Sequence, residues 1–438
     1  MKTTSSYAVE LKHTSKIFYS TIKIYQRAVS FCVSTFDNEW SAISSVTDSK
    51  QRKGYAERLI HSTKSNQAKY PEFDKQFFKL PSYLRRSAIN TALGHLQSYH
   101  SNLENWLNSK QTTKKPVLQM NLNKLPTFYK DNTYDGSLMD ADSVRLKLFV
   151  NNDWIWVPFT LKHTDIDYIR KQSAGSKLSV PTLEKKHKKW FLRFSFEENV
   201  KLTTSKDVVL AVDLGLNTDA TCCVMNKEGT VLKRKFINFK SDKDFLYHTL
   251  NKIKKVSRLQ GPKNTVKLWR IAKFKNDELA RHVASAILKL ALDYDVDVIV
   301  FEHLDIKGKK RGSKKQKLHM WKKNTIQQLV LHKAHRHGIR ISRVCPYNTS
   351  KLAYDGSGYV LRGDKANLPT YELCQFTNGK IYNCDLSASY NIAARYFIRE
   401  IEKSTSVMKW SQAVANVKSL AKRTLNTYSS YLELLSLA

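Results

Sequence analysis

Three carboxylates stand out in a chain that is poor in acidic residues. Asp213 directly follows the apolar run Val208–Val212, Glu302 directly follows Val298–Phe301, and Asp385 stands at the predicted start of a helix. A carboxylate beside a buried apolar run lowers stability unless it is paired or bound to a metal. Mg²⁺ prefers oxygen ligands and keeps waters and substrate phosphates in its shell. Two such ions, about 3.5–4 Å apart, can activate a water and stabilise a leaving oxygen.

The three acids are therefore predicted to bind two Mg²⁺ ions and to catalyse phosphodiester hydrolysis. Taken singly, each has an ordinary interpretation. Asp213 or Glu302 could be a turn residue at the end of a strand, and Asp385 could be a helix N-cap, or both a cap and a ligand. The order of the elements that carry them favours the shared site.

The second half of the chain has the element order of an RNase H-like fold. Three strands are followed by two basic helical stretches, and then strand, helix, strand and helix alternate. The predicted ranges are 208–212, 220–225, 230–236, 242–259, 267–293, 296–301, 321–337, 339–344 and 385–399. In such a sheet the first and fourth strands are neighbours, so Asp213 and Glu302 should lie side by side. The last helix should bring Asp385 to them.

The first half has a different pattern. Residues 7–11 alternate as in a strand, residues 14–112 are mostly helical, and 82–106 form the clearest amphipathic helix. From about 116 to 200 the period becomes two, which predicts a small β-barrel or sheet. Its predicted strands are 117–120, 144–150, 154–159 and 188–197, and Asn151-Asn152-Asp153 is a predicted hairpin turn. The first strand of this sheet is expected to come from 7–11, with the helical block inserted after it.

The charge indicates a polyanionic partner. The chain of 438 residues has 74 Lys and Arg against 38 Asp and Glu, a formal net charge of +36. Because an ordinary surface mixes both signs, such an excess favours nucleic acid as the partner. The candidate contacts are Lys252, Lys254, Lys255, Arg258, Lys309, Lys310, Arg311, Lys314 and Lys315. The run 307–317 is either a solvated charged loop or a lid that orders on nucleic acid, and its place after Glu302 favours the lid.

Composition excludes several classes of protein. No run of 18 apolar residues is present, so no membrane span is predicted. The first residues lack the apolar stretch of a signal peptide, and the six Cys form no tight framework, which is typical of a reducing compartment. We therefore expect a cytoplasmic protein, and the sequence does not indicate its oligomeric state.

Four motifs resemble the TnpB nucleases of transposons and their descendants, the compact type V CRISPR effectors. They are Val212–Asn217, Phe301–Leu304, Pro346–Ser350 and Asp385–Arg395. The resemblance covers the last 230 or so residues well. In the earlier residues it is limited to the domain arrangement, a barrel interrupted by a helical lobe. It implies a guide-RNA-dependent DNA endonuclease in which Asp213, Glu302 and Asp385 are the acids of a RuvC-type site. It also implies that Arg395 lies near that site and could contact the scissile phosphate, although an Arg on a helix is more often a surface or packing residue.

The implied architecture is α+β and multidomain. It comprises a first wedge strand (1–13), a helical recognition lobe (14–115), a wedge β-barrel (116–205) and a RuvC-like nuclease domain (206–438). Its implied partners are guide RNA and target DNA, and its implied location is a prokaryotic cytosol, in association with the nucleoid. Two alternatives stay open: an RNA-guided DNA-binding repressor that does not cut, and a guide-independent structure-specific nuclease or transposase.

One departure from the resemblance concerns zinc. Relatives of this kind usually carry a four-Cys zinc ribbon between the Thr-Ser motif and the third acid. Here the first expected pair falls at about Ala353 and Gly356, and the second at Cys374 and Thr377. Structural zinc needs four soft ligands in paired spacing, so no zinc is expected and the segment at about 346–384 is a degenerate, ribbon-like insertion.

Overall fold

The computed structural model describes residues 1–11, 16–109, 111, 113–119, 125–137, 139–186, 189–303, 321–363 and 366–437. The chain divides into two compact units, Lys2–Asn199 and Val200–Ala438, and Met1 belongs to the second. This division falls a few residues before the boundary expected at 205/206. The expected segments 1–13, 14–115 and 116–205 thus fall mostly in one unit, whereas Met1 and residues 200–205 belong to the other. None of the described helices combines the length and the apolar composition that a membrane crossing needs.

The helical part of the first unit begins directly after its first strand. The helices are α1 (Ile17–Asn38), α2 (Trp40–Ser45), α3 (Ser49–Ile60), α4 (Glu72–Gln76) and α5 (Ser82–Leu107). Their apolar faces form one core, in which Phe36, Phe73 and Ile89 are buried. The helical block expected between the first strand and the later sheet is therefore present.

The strands of the first unit form two three-stranded sheets. The elements are β1 (Lys2–Leu11), β2 (Tyr134–Asp135), β3 (Ser143–Val150), β4 (Asp153–Thr160), α6 (His163–Ser173), β5 (Lys177–Lys186) and β6 (Lys189–Asn199). One sheet has the order β1-β6-β5 and the other β2-β3-β4. Because β1 pairs with β6 along its whole length, the strand before the helices returns to the sheet formed after them, as expected.

The details of this unit differ from the expectations. Residues 117–119 are not in a strand, and β2, α6 and β5 were not predicted. Pro181 interrupts the pattern of β5, and the register shifts between Ser179 and Thr182. The predicted hairpin is confirmed. Asn151 and Asn152 both have positive φ, at 49° and 63°, as a two-residue turn between right-twisted strands requires.

The second unit follows the predicted order of elements. It contains β7 (Val208–Asp213), β8 (Ala220–Asn226), β9 (Val231–Ile237), α7 (Lys240–Gln260), α8 (Val266–Asp293), β10 (Val298–Glu302), α9 (Lys323–Arg336), β11 (Arg340–Val344), β12 (Leu361–Arg362), β13 (Leu373–Gln375), β14 (Ile381–Asn383), α10 (Cys384–Ser404), α11 (Val407–Asn416) and α12 (Tyr428–Ser436). The three short strands β12–β14 and the last two helices were not predicted.

A five-stranded sheet forms the centre of this unit, in the order β11-β10-β7-β8-β9. The strands β7, β8 and β9 are antiparallel, whereas β10 runs parallel to both β7 and β11. Alternate residues of β7 enter two cores: Leu210 and Val212 pack with α7, α8 and α9, and Val209 and Ala211 pack with α10 and α12. The adjacency of β7 and β10 is the one on which the placement of Asp213 beside Glu302 depended.

The segment expected to be a degenerate zinc ribbon is a small sheet in the order β12-β13-β14. Beside it Ala353, Cys374, Phe376 and Cys384 form a compact apolar cluster. Two of the expected zinc-ligand positions, Ala353 and Cys374, therefore lie inside this cluster. These side chains pack against one another in the insertion, and the absence of zinc stays a prediction.

Candidate active site

The first two acids lie at the same edge of the central sheet. Val212 of β7 is paired with Phe301 of β10 in parallel register, and each strand ends one residue later. Asp213 and Glu302 are therefore neighbours, as the sequence predicted. Gly215 allows the chain to turn tightly after Asp213, since a Cβ at this position would lie 2.5 Å from the carbonyl oxygen of Thr218.

The third acid comes from the start of α10. Asn383, not Asp385, is the N-cap, because its side chain accepts a hydrogen bond from the backbone N–H of Leu386 at 2.9 Å. The expectation that Asp385 could cap this helix is thus wrong. The competition between Asn383 and Asp385 is decided by which residue precedes the first helical turn. The Asp385 carboxylate is left without a capping role.

The pKa of each of the three carboxylates is raised by burial, and those of Asp213 and Glu302 are raised further by a neighbouring acid of the trio. Burial raises the pKa of Asp213 well above its ordinary value, and the charges of Glu302 and Asp385 raise it further. Burial likewise raises the pKa of Asp385, and it raises the pKa of Glu302 despite a hydrogen bond from Thr349. Arg362 partly offsets these effects, since its charge lowers the pKa of Asp213 and of Asp385. The structure thus brings the predicted constellation together.

The acids differ in their hydrogen bonds. The Thr349 hydroxyl donates to Oε1 of Glu302, and Gln327 Nε2 donates to the Glu302 carbonyl at 3.1 Å. Neither Asp213 nor Asp385 has a hydrogen bond or an ion pair to its carboxylate among the described residues. Within the same ranges no three His, Cys, Asp or Glu side chains already stand in an arrangement that holds one metal ion. Metal ligation by these acids therefore stays a prediction.

Asn391 positions the loop that carries Thr349. This residue is fully buried on α10, and its Nδ2 donates to the carbonyls of Thr349 and Leu352, both at 3.0 Å. Its Oδ1 accepts the backbone N–H of Tyr428 at 3.0 Å. All polar atoms of the amide are engaged, so the side chain fixes the loop relative to the helix. The Thr349 hydroxyl is thereby held against Glu302.

Arg395 lies one turn further along α10 and is 4% exposed. Its guanidinium donates to four backbone carbonyls, those of Cys345, Tyr347, Thr424 and Asn426, at 2.7–3.1 Å. Burial lowers the pKa of the Arg395 guanidinium to about 10, although the nearby charge of Glu302 opposes this. These bonds join the guanidinium to backbone segments that precede and follow α10 in the chain. The expected contact of Arg395 with a scissile phosphate stays a prediction that this geometry does not favour.

Three residues of the site were not assigned a role from the sequence. Thr349 and Asn391 lie inside the motifs that carry the resemblance, so the motifs could have suggested them. Arg362 lies outside every motif. It reaches the acids because β12 pairs with β13, and its Nη2 donates to the Ser350 carbonyl. No local pattern in the sequence indicates that contact.

The predicted basic contacts fall into two groups. Lys252, Lys254, Lys255 and Arg258 are all exposed on α7, as a helix face that meets solvent or nucleic acid requires. Lys309, Lys310, Arg311, Lys314 and Lys315 lie outside the described residues, as does the whole predicted lid at 307–317.

Comparisons with known proteins support the fold. Residues 4–150 match the Aq_aa04 family. The search of curated proteins gave no match. Among solved structures, the protein of a Cas12f1-sgRNA-target DNA complex is 14% identical, with 86% of this chain and 81% of that chain covered and a TM-score of 0.54. The mini-RNA-guided endonuclease CRISPR-Cas_phi3 is 13% identical, with 90% and 92% covered and a TM-score of 0.53. At such low identity these similarities show a shared fold.

Proposed function

We propose that the protein is an RNA-guided DNA endonuclease that cuts by metal-dependent phosphodiester hydrolysis at a RuvC-type site. The observation that carries this proposal is the meeting of Asp213, Glu302 and Asp385 at one edge of the central sheet, where burial raises the pKa of each and the charge of a neighbouring acid of the trio further raises those of Asp213 and Glu302. Three acids gathered in this way destabilise a protein that only binds nucleic acid. They are useful where a cation must be held against a phosphate.

The chemistry of the site fits Mg²⁺. Asp213, Glu302 and Asp385 would hold it, because the donor set consists of oxygens and the carboxylates carry more negative charge than Arg362 offsets. When bound, two such ions would activate a water and stabilise the leaving oxygen of the phosphodiester. Asp213 and Asp385 would present their carboxylates. The Thr349 hydroxyl would orient one oxygen of Glu302 and leave the other available.

Arg395 would act in this scheme as a positioning residue. Its bonds to the carbonyls of Cys345 and Tyr347 fix the start of the loop that leads to Thr349. Asn391 fixes the same loop further on, at Thr349 and Leu352. Both side chains come from α10, which also carries Asp385. The helix α10 would thus position Asp385 directly. Through the loop, it would also position the Thr349 hydroxyl that donates to Glu302.

Guide RNA and target DNA are the proposed partners. The similar structures are described as a complex with sgRNA and target DNA and as a mini-RNA-guided endonuclease. For this chain the support is the shared fold, the net charge of +36 and the exposed basic face of α7. The guide would choose the target by base pairing, and the protein would read backbone shape and a short duplex motif. Zinc is not expected as a cofactor.

Cleavage by a single-residue variant tests the nuclease. Asp213→Ala should abolish Mg²⁺-dependent cutting and leave nucleic-acid binding nearly intact, because the acid faces the metal and not the guide. Binding would be measured by filter retention and cutting on a labelled target duplex, with Asp293→Ala, an exposed residue at the end of α8, as the matched control. Retained Mg²⁺-dependent cutting by Asp213→Ala would refute the assignment.

Co-purification tests the guide. Protein isolated from its native locus should carry one discrete RNA species, which sequencing would identify. Adding a DNA that is complementary to this RNA should then direct the cut. A discrete RNA with binding and no cutting would favour the repressor, and cutting with no bound RNA would favour a guide-independent nuclease.

A further inference from the structure

A cavity of about 300 Å³ lies among α7, α8 and the start of α9 in the second unit. Gly215 and Leu216 form part of its wall, so the wall begins two residues beyond Asp213. The volume falls at the lower end of the roughly 300–1,000 Å³ that ligand pockets usually have. Neither the carboxylate chemistry nor the exposed basic face of α7 explains this cavity.

The walls of the cavity are apolar and aromatic. Leu246, Leu279 and Val283 are buried residues of its lining. Two aromatic rings complete it: Tyr247, which is 63% exposed, and Trp321. The Trp321 Nε1–H is buried and has no hydrogen-bond acceptor among the described residues. An indole N–H that is buried in this way lowers stability unless a ligand or water accepts its hydrogen bond.

The charges at the cavity suit an anionic ligand. Among the described residues, three lysines belong to the lining, and the only acid there is Asp219. Lys243 pairs with the Asp219 carboxylate at 3.4 Å, and this carboxylate accepts the backbone N–H of Phe239 at 2.8 Å. Lys322 is paired with Asp277 at 2.8 Å. Lys254 is exposed and has no ion pair among the described residues. A phosphate at the rim would therefore meet a lysine and no uncompensated acid.

We infer that this cavity holds one nucleobase of the DNA strand that is cut at the carboxylates, an inference that rests on the proposed nuclease function. A base has two apolar faces, which suit the leucine and aromatic walls, and an edge with acceptor atoms, which suits the Trp321 N–H. Its phosphate would lie near Lys254. Because the wall begins at Gly215, two residues beyond Asp213, a strand anchored here would place a neighbouring phosphate within reach of the three acids. The pocket thus sets the register of the cut.

An abasic scan measures this contact. Target DNA with a single abasic site at successive positions around the mapped cut would be given to the RNA-loaded protein. One position should cut about tenfold more slowly, since stacking and burial of one base are lost, and its neighbours should cut nearly normally. In Tyr247→Ala and in Trp321→Phe, an abasic site at that position should slow cutting much less than it does in wild type. These variants have already weakened the contact between the base and the cavity. Phe274→Ala removes an aromatic that is 66% exposed on α8 and does not line the cavity, so it should keep the full penalty.

A second measurement does not depend on cutting. In an Asp213→Ala background, 2-aminopurine at the sensitive position should be quenched on binding, and adding Tyr247→Ala should reduce the quenching. A scan with no sensitive position, or a penalty that both cavity variants leave unchanged, would overturn the inference while the nuclease stands. If wild-type protein does not cut, or if Asp213→Ala cuts equally well, the proposed nuclease function is wrong. If 2-aminopurine is then quenched equally at every position, the inference that the cavity binds a base is wrong as well.

Discussion

The acid cluster should make the metal-free protein less stable, so Asp213→Asn should stabilise it. Burial and the charges of Glu302 and Asp385 raise the pKa of Asp213 above the value of about 3.9 that it has in an unfolded chain. The folded state therefore binds this proton more tightly than the unfolded state. The stability gained from the proton is fully present below the unfolded pKa and is lost as the pH rises through the folded pKa. Asparagine has the same shape and carries no charge at any of these pH values.

The expected gain grows with the proton affinity that folding gives to Asp213. Each tenfold rise in that affinity raises the pKa by one and corresponds to about 1.4 kcal/mol between the two protonation states. The unit that contains Asp213 runs from Val200 to Ala438. For a domain of that size, 1 kcal/mol changes Tm by about 2–4 °C. At pH 8, Asp213→Asn should therefore raise the apparent Tm by about 3–6 °C for every tenfold rise in the proton affinity of Asp213 on folding.

Thermal unfolding followed by circular dichroism would measure this gain in EDTA at pH 5 and pH 8. The advantage of Asp213→Asn should shrink at the lower pH, where wild-type Asp213 is closer to protonation. Mg²⁺ should stabilise wild type more than the variant, because the variant lacks one charged ligand. Asp293→Asn is the control, since it removes an exposed acid from the end of α8. A variant no more stable than wild type at pH 8, or equally advantaged at both pH values, would refute the reasoning.

Four further predictions follow from the contacts around the site and the second unit. Thr349→Val removes the hydroxyl that donates to Glu302 and should slow cleavage by roughly 10- to 100-fold with little change in Tm, whereas Thr349→Ser should retain most activity; equal rates for all three would contradict this role. Arg395→Lys should lower both Tm and the cleavage rate and leave DNA binding nearly unchanged, because an ammonium cannot reach four carbonyls; normal rates and Tm would argue against a positioning role. Hydrogen bonds from Lys206 and Lys403 overcome the effect of burial and lower the pKa of Glu400 to about 2. In urea unfolding, wild type should therefore have a higher free energy of unfolding than Glu400→Gln above about pH 4.3, and this difference should vanish as the pH falls toward 2. Elemental analysis should find less than one zinc per chain, and a stoichiometric zinc would show that its ligands were misplaced.

The sequence was sufficient for the elements that carry the acids. The apolar runs before Asp213 and Glu302 are long enough to be buried strands, and their order along the chain determines which strands can be neighbours. The helix that carries Asp385 is strongly patterned. These signals are local, or depend only on topology, so the meeting of the three acids could be predicted before any contact was seen.

The contacts between distant segments could not be predicted in the same way. Arg362 acts on the acids through pairing of two very short strands, whose sequences carry no periodic signal. Asn383 and Asp385 are both good caps, and only the backbone at the start of α10 separates them. Pro181 lies within β5, where a proline cannot donate to the sheet, and a shift of register accommodates it. In each case contacts between segments that are distant in sequence, or the local backbone conformation, determined the outcome, and neither is visible in the sequence pattern.

The apolar cluster in the ribbon-like insertion bears directly on the third acid. The strand β14 ends at Asn383, and the next residue, Cys384, is buried in the cluster beside Cys374 and Phe376. Asp385 follows at once, so its position depends on how the cluster packs. Close packing of the cluster restrains this segment, as metal–sulfur bonds do where a ribbon binds zinc. The loss of three of four expected zinc ligands is therefore compatible with a well-placed Asp385, because close packing constrains the start of α10 as a metal would.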